Sequence, residues 1–295
     1  MAFFVRFWGV RGSIPTPGPQ THRYGGNTSC VEVEVDEVRY ICDAGSGIRE
    51  LGIELMATAP KPVRAHLFFS HMHWDHIQGF PFFSPVYVPN NHFTIWGPKT
   101  ADRRFARLLG GQMKSSYFPV DFRDLGGTIH ADDLGSGDRE VDGVRVRVFH
   151  QHHPGVSFAY RFEKDGVSVV YATDSEIDLD LDDAELPTRD PAALRGVPED
   201  LVAFCRGATL IIADGQYTDE EYPRFVGWGH ARATTVVDLA VLAGAERLAV
   251  FHHDPMHSDA EIDDLIRVCQ QRARAHRSEL QVFGAREGFE LRLDA

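Results

Sequence analysis

The sequence predicts a layered α/β protein, with mixed sheets and helices outside them. Three observations carry that expectation. Early segments alternate apolar and polar residues with period two, as half-buried strands do. Later segments interleave short apolar or β-branched runs with longer helical patterns. Hydrophobic residues make up 43% of 295 residues, the level of a globular chain with a sizeable core.

The elements follow in order. Phe3 to Trp8 alternates like a strand and lacks a cleavage site, so it is not read as a signal peptide. Cys30 to Val35 and Val38 to Cys42 alternate across a short Asp36-Glu37 turn, as a hairpin does. Further strands are expected at Ala65 to Phe69, Val144 to Phe149, Ser168 to Tyr171, Leu210 to Ala213 and Leu248 to Phe251. Helices are expected around Ala101 to Leu109, Ala231 to Ala243 and Asp259 to Ala275. With no repeat and no low-complexity linker, residues 1–295 read as one domain.

Several features exclude function classes. No run of about 18 apolar residues occurs, so no membrane span is expected. None of the four cysteines, Cys30, Cys42, Cys205 and Cys269, forms a CxxC pair, which argues against a zinc ribbon or redox motif. They read as buried thiols in a reduced cytoplasm. Glu176 to Asp190 is rich in acids but lacks the calcium-loop spacing and its glycine, so it reads as an acidic surface loop. The basic stretches Arg103 to Arg107 and Arg272 to Arg277 read as solvated helix faces. Net charge is −13, and only a few lysines occur. A protein that grips long nucleic acid usually carries a basic face. Neither a large nucleic acid nor a membrane is therefore expected as a partner. The aromatics between Gln78 and Phe122 read as core, with a substrate platform or a homodimer surface as alternatives.

The fifteen histidines cluster. In Phe68-Phe69-Ser70-His71-Met72-His73-Trp74-Asp75-His76 an apolar strand runs into four candidate ligands. Residues two apart at a strand end point the same way, so His71 and His73 can grip one ion. Asp75 and His76 follow as the chain turns and can face a second. Imidazole nitrogen and carboxylate oxygen suit zinc, and also manganese or iron. One loop cannot complete two coordination spheres. His153, Asp174, Asp214 and His252 each end an apolar run, where functional groups of α/β proteins commonly converge.

The HxHxDH run from His71 to His76 resembles the signature of the metallo-β-lactamase superfamily. His153-Pro154-Gly155, Tyr171-Ala172-Thr173-Asp174, Asp214-Gly215-Gln216-Tyr217, Gly227-Trp228-Gly229-His230 and Phe251-His252-His253-Asp254-Pro255 resemble its phosphodiesterase branch, which includes ribonuclease Z. So do Trp8-Gly9-Val10-Arg11-Gly12-Ser13-Ile14-Pro15, Tyr24-Gly25-Gly26-Asn27-Thr28-Ser29 and Asp43-Ala44-Gly45-Ser46-Gly47. The resemblance implies an αββα sandwich and two divalent metal ions, zinc first. It implies one ion on His71, His73, His153 and Asp174. It implies a second on Asp75, His76, Asp174 and His252, with Asp174 bridging. His153 is preferred to His150 and His152 because it precedes Pro-Gly, and His252 to His253 because it directly follows the strand. The resemblance implies a phosphodiesterase, expected to act on a small phosphodiester such as a cyclic nucleotide or sugar phosphate, whose phosphate His230, oriented by Asp214, would contact or whose leaving oxygen it would protonate. Asp75 would orient the attacking water. Asp43 would fix the histidine loop or merely cap a turn, and Arg11 would approach the phosphate or support its loop. Rival readings are a lactam or thioester hydrolase on the same fold, a tRNA-processing nuclease, or a non-catalytic metal-bound sensor.

Overall fold

The structure, a computed structural model, describes residues 3–98, 105–181 and 193–294. Contacts divide the chain into two compact units, the described residues of 1–18, 25–135 and 286–294, and those of 19–24 and 136–285.

The first unit carries a sheet in the order β14-β1-β2-β3-β4-β5-β6. Its strands are β1 (Phe3–Gly9), β2 (Cys30–Val35), β3 (Val38–Cys42), β4 (Arg64–Phe68), β5 (His92–Pro98), β6 (Thr128–Leu134) and β14 (Glu290–Leu293). Pairing is antiparallel from β14 to β3 and parallel from β3 to β6. Asp36 and Glu37 both take positive φ, the two-residue turn that suits the twist of a hairpin. Helix α1 (Ile48–Thr58) buries Ile48, Leu51 and Leu55 at helical spacing in a core with Phe80, Phe83 and Phe93. Helix α2 (Trp74–Ile77) is one turn long, and α3 is Phe105–Leu109. The aromatic stretch divides accordingly: Phe80, Phe83 and Phe93 are core, while Phe82 and Tyr117 are exposed.

The second unit reverses that plan, in the order β13-β12-β11-β10-β9-β8-β7. Its strands are β7 (Gly137–Val141), β8 (Val144–Gln151), β9 (Ser157–Lys164), β10 (Val167–Ala172), β11 (Leu210–Asp214), β12 (Arg247–Phe251) and β13 (Gln281–Gly284). Pairing is parallel from β13 to β10 and antiparallel from β10 to β7. β10 and β11 are buried at every residue, as inner strands covered on both faces are. Helix α4 is Glu199–Cys205. Helix α5 (Ala233–Ala243) is buried over most of its surface and stops at Gly244, which is left-handed with φ 64°. Helix α6 (Asp259–Ala275) buries Ile262, Leu265, Ile266, Cys269 and Ala273, and starts in a capping box formed by Ser258 and Glu261.

The hairpin, α6 and the strands ending at site residues lie where the sequence places them, within one or two residues. Two surface readings are corrected. Of the acidic stretch 176–190, residues 182–190 lie outside the described residues, but Glu176 and Asp178 are buried. Each carboxylate accepts several hydrogen bonds, which replaces the solvation a surface acid would have. Arg272 is no solvated face either, because its guanidinium grips both oxygens of buried Asp238. The stretch from Arg103 and the helix expected from Ala101 fall partly outside the described residues.

All four cysteines are buried and unbridged. Burial raises every one of these thiols, to about 12 for Cys205 and Cys269 and well above the usual range for Cys30 and Cys42. We expect the native protein to react with none of its thiols in an Ellman titration at pH 8, and with four after denaturation. Rapid reaction of a native thiol would contradict this burial.

Candidate metal centre

The parallel strands deliver the polar residues. Asp43 follows β3, His71 follows β4, Asp174 follows β10 and His252 follows β12, while Asp214 is the last residue of β11. Asp43, Asp174 and His252 all have positive φ, of 60°, 47° and 59°. Each strand therefore ends in a sharp bend that aims a side chain away from the sheet.

In the first unit, His71 and His73 stand two residues apart beyond β4, and their rings meet at 4.5 Å between centroids. The His71 ring is 4.2 Å from that of His76. His73 is the residue before α2, so Asp75 and His76 fall on the single helical turn that follows. That turn sits tightly on Gly45, where a Cβ would lie 2.2 Å from the Asp75 carbonyl oxygen. Asp43 organises the loop. Its Oδ1 accepts from the Ser70 amide at 2.7 Å. Its Oδ2 accepts from the Ser70 hydroxyl at 2.7 Å and from His76 Nδ1 at 2.8 Å. The Ser70 hydroxyl proton is thus engaged, so its oxygen accepts from His71 Nδ1 at 3.0 Å. The network assigns both rings their proton on Nδ1, which makes Nε2 the nitrogen that could hold a metal ion. Asp75 Oδ2 accepts from the Ser13 amide at 2.7 Å and lies 3.3 Å from His76 Nε2. Arg11 is fully buried and donates from Nε to the Gly25 carbonyl.

In the second unit the same device recurs. His153 Nδ1 donates to the Gly229 carbonyl at 2.8 Å. His252 Nδ1 donates to Gln216 Oε1 at 3.0 Å, and Gln216 Nε2 donates to Asp254. Asp174 then faces two imidazoles with one oxygen each. Its Oδ2 lies 3.8 Å from His153 Nε2, and its Oδ1 lies 3.3 Å from His252 Nε2. The Thr173 hydroxyl donates to Oδ1 at 2.6 Å. His230 stacks on His252 at 4.9 Å and donates from Nδ1 to Asp214 Oδ2 at 2.8 Å. Asp174, Asp214, His230 and His252 each offer an atom within 4.8 Å of the others. Neutral imidazole nitrogens beside carboxylate oxygens are a donor set that fits a divalent cation.

Each unit thus gathers its own predicted residues: His71, His73, Asp75 and His76 in one, His153, Asp174, Asp214, His230 and His252 in the other. Three other histidines are differently engaged. His152 pairs with Asp180 in a half-exposed contact, His150 lies against the Phe158 ring, and His253 Nε2 donates to the Ala285 carbonyl. Sequence reasoning missed Ser70, Gln216, Gly229 and Glu176 as orienting groups. A hydroxyl or amide that serves a ligand ring has no spacing rule of its own. Only the glycines of Gly227-Trp228-Gly229 hint at special backbone: both have positive φ, and a Cβ on Gly229 would meet His153 Nδ1 at 2.4 Å.

Residues 38–253 match the beta-lactamase superfamily domain. The chain belongs to that family. Its fold is the metallo-β-lactamase fold, with two mixed sheets and helices. The metallo-beta-lactamase fold protein YhfI from Bacillus subtilis aligns at a TM-score of 0.70 and 16% identity, over 99% of each chain. The short form of human tRNase Z aligns at 0.65 and 17% identity, over 98% of each. A curated relative, Ribonuclease Z of Natronomonas pharaonis, is 25% identical over 90% of this chain and 93% of its own length. The family is one of hydrolases, and the resemblance to its phosphodiesterase branch is upheld.

That relative also corrects one expectation. The sequence argued against a large nucleic acid as partner, on net charge and scarce lysine. A relative named as a ribonuclease, matched over nine-tenths of this chain, removes the ground for that exclusion. Net charge sums over the whole surface, whereas phosphate binding responds to the local potential. Among the described residues, no helix is long and apolar enough to cross a membrane.

The Asp43 contacts make a direct prediction. Asp43→Ala would strip the acceptor from His76 Nδ1 and from both Ser70 groups. Loss of such an outer partner costs about 10–100-fold in metal affinity. We expect that loss in chelator competition, with the far-ultraviolet circular dichroism unchanged. Wild-type metal affinity in the variant would remove Asp43 from the centre.

Proposed function

We propose that this chain is a two-metal phosphodiesterase. The observation that carries the reading is the second-unit group, in which Asp174 faces His153 and His252 while His230, hydrogen-bonded to Asp214, stacks on His252. A lactam or thioester hydrolase does not call for a histidine–aspartate pair of this kind beside the ligands.

In this reading one ion takes His71, His73, His153 and Asp174, and the other takes Asp75, His76, Asp174 and His252. Zinc suits these donors first, with manganese and iron as alternatives. Two bound cations supply an acidified water and neutralise charge on the phosphoryl oxygens. The chain's own residues do the rest. Asp43, Gly229 and Gln216 hold the rings of His76, His153 and His252 in the ligating tautomer. Asp75, held by the Ser13 amide, orients the attacking water and accepts its proton. Asp214 stabilises the imidazolium of His230, which contacts the phosphate and delivers a proton to the leaving oxygen.

The substrate is a phosphodiester. A small nucleotide or sugar diester, cyclic ones included, is one reading. RNA is the second, supported by the relative named Ribonuclease Z. The test is hydrolysis of bis(p-nitrophenyl) phosphate, cyclic nucleotides and a 3′-extended tRNA by metal-loaded protein, beside nitrocefin and a thioester. Turnover of the phosphodiesters alone supports the proposal. Metal-loaded protein that cleaves none of them would sink it.

A further inference from the structure

We propose that Glu176 is a positioning residue whose carboxylate sets the turn at 227–230 and, through it, both His153 and His230. The inference rests on the metal-centre reading above and identifies what holds its second-unit half in register.

Glu176 lies two residues beyond Asp174 and is 1% exposed. Its carboxylate oxygens are met by N–H and O–H donors. Oε1 accepts from the Tyr222 hydroxyl at 2.9 Å and from the Gly227 amide at 2.6 Å. Oε2 accepts from the Gly229 amide at 2.6 Å. Burial raises the Tyr222 phenol, so it remains a donor across the working pH range. The Glu176 amide donates in turn to the His152 carbonyl at 2.8 Å. One residue therefore ties together the loop after β8, the loop after β10 and the turn before α5.

The next links are short. Gly229, held by Glu176 through its N–H, accepts His153 Nδ1 on its own carbonyl at 2.8 Å. His230 is the following residue. Gly229 has φ 93° and leaves no room for a Cβ beside His153, so the turn has little slack. Asp178 repeats the device one step on. It accepts from the Arg232 amide at 2.8 Å, from Arg232 Nε at 2.7 Å and from the Thr235 hydroxyl at 2.6 Å. The segment from Gly227 to Thr235 is thus pinned by two buried acids that follow a metal-ligand candidate in sequence. A carboxylate with both oxygens engaged by amides fixes a turn in a way that neither an amide side chain nor a shorter acid can, because one lacks a second acceptor and the other lacks reach.

The experiment has arms that do not need catalysis. In metal-free wild-type protein, the Gly227 and Gly229 amides should exchange with deuterium slowly, with protection close to that of β11. In E176Q and E176D, exchange at these two amides should rise at least about tenfold while β11 stays protected, and metals should be lost to EDTA about tenfold faster. E176D carries both arms if E176Q does not fold. A further arm reads turnover: if Glu176 acts through His230, the losses from E176Q and His230→Ala should not multiply in the double variant. Unprotected wild-type amides would overturn the proposal, as would folded variants with unchanged exchange and metal retention, or fully multiplicative losses. Wild-type protein inactive on every phosphodiester would defeat the proposed function, while the exchange and EDTA arms would still decide the role of Glu176.

Discussion

Asp174→Asn is expected to lose retention of both metal ions and to abolish measurable turnover. The carboxylate places one oxygen toward each of two imidazoles, His153 at 3.8 Å and His252 at 3.3 Å. Asparagine keeps an acceptor for the Thr173 hydroxyl and tolerates the left-handed backbone at this position. It removes the negative charge and the second ligating oxygen. The loss should exceed the roughly 100-fold upper range typical of outer partners, because a shared ligand fails both ions at once. Metal analysis after dialysis, with circular dichroism for folding, reads the result. A variant that keeps two ions per chain would show that Asp174 does not bridge.

His230→Ala is expected to act on chemistry instead of metal. In the proposed set it is not a ligand, so metal content should stay near wild type. Loss of a positioned general acid lowers kcat by about 10²–10⁴-fold. The size of the loss should depend on the leaving group. p-Nitrophenolate departs without a proton, so His230→Ala should be mild on bis(p-nitrophenyl) phosphate and severe on a diester with a nucleoside or alkyl leaving group. Equal losses on both substrates would make His230 a phosphate contact, not a proton donor. Loss of the metals together with activity would make it a ligand.

Much of this site is legible in the sequence because metal ligands obey geometric rules. His71 to His76 follows a buried strand, and Asp174, Asp214 and His252 each close an apolar run. Burial pattern and ligand chemistry therefore agree at those points. The groups that orient the ligands are less legible. Ser70 serves His71, Gln216 serves His252 and the Gly229 carbonyl serves His153. Those contacts cross up to 76 residues of sequence and use ordinary side chains or the backbone. Glu176 is illegible for a related reason: composition places acids at the surface, and only tertiary hydrogen bonds justify burying one. Helix α1 carries Gly52, a weak helix former, where the helix packs so closely on Phe83 that a Cβ would lie 3.0 Å from the ring. Strands β6, β7 and β14 are mostly exposed and carry weak alternation.

The bends at Asp43, Asp174 and His252 bear on how this protein would respond to laboratory evolution. A side-chain-bearing residue in the left-handed region costs roughly 1–2 kcal/mol, less for aspartate, and glycine relieves it. At His252 that relief is outweighed by the buried imidazole itself, which stacks on His230 and pairs with Gln216, so glycine there would leave a cavity. Each of the three also carries a residue of the proposed metal centre, so a thermostability campaign on this scaffold would hold those three codons fixed.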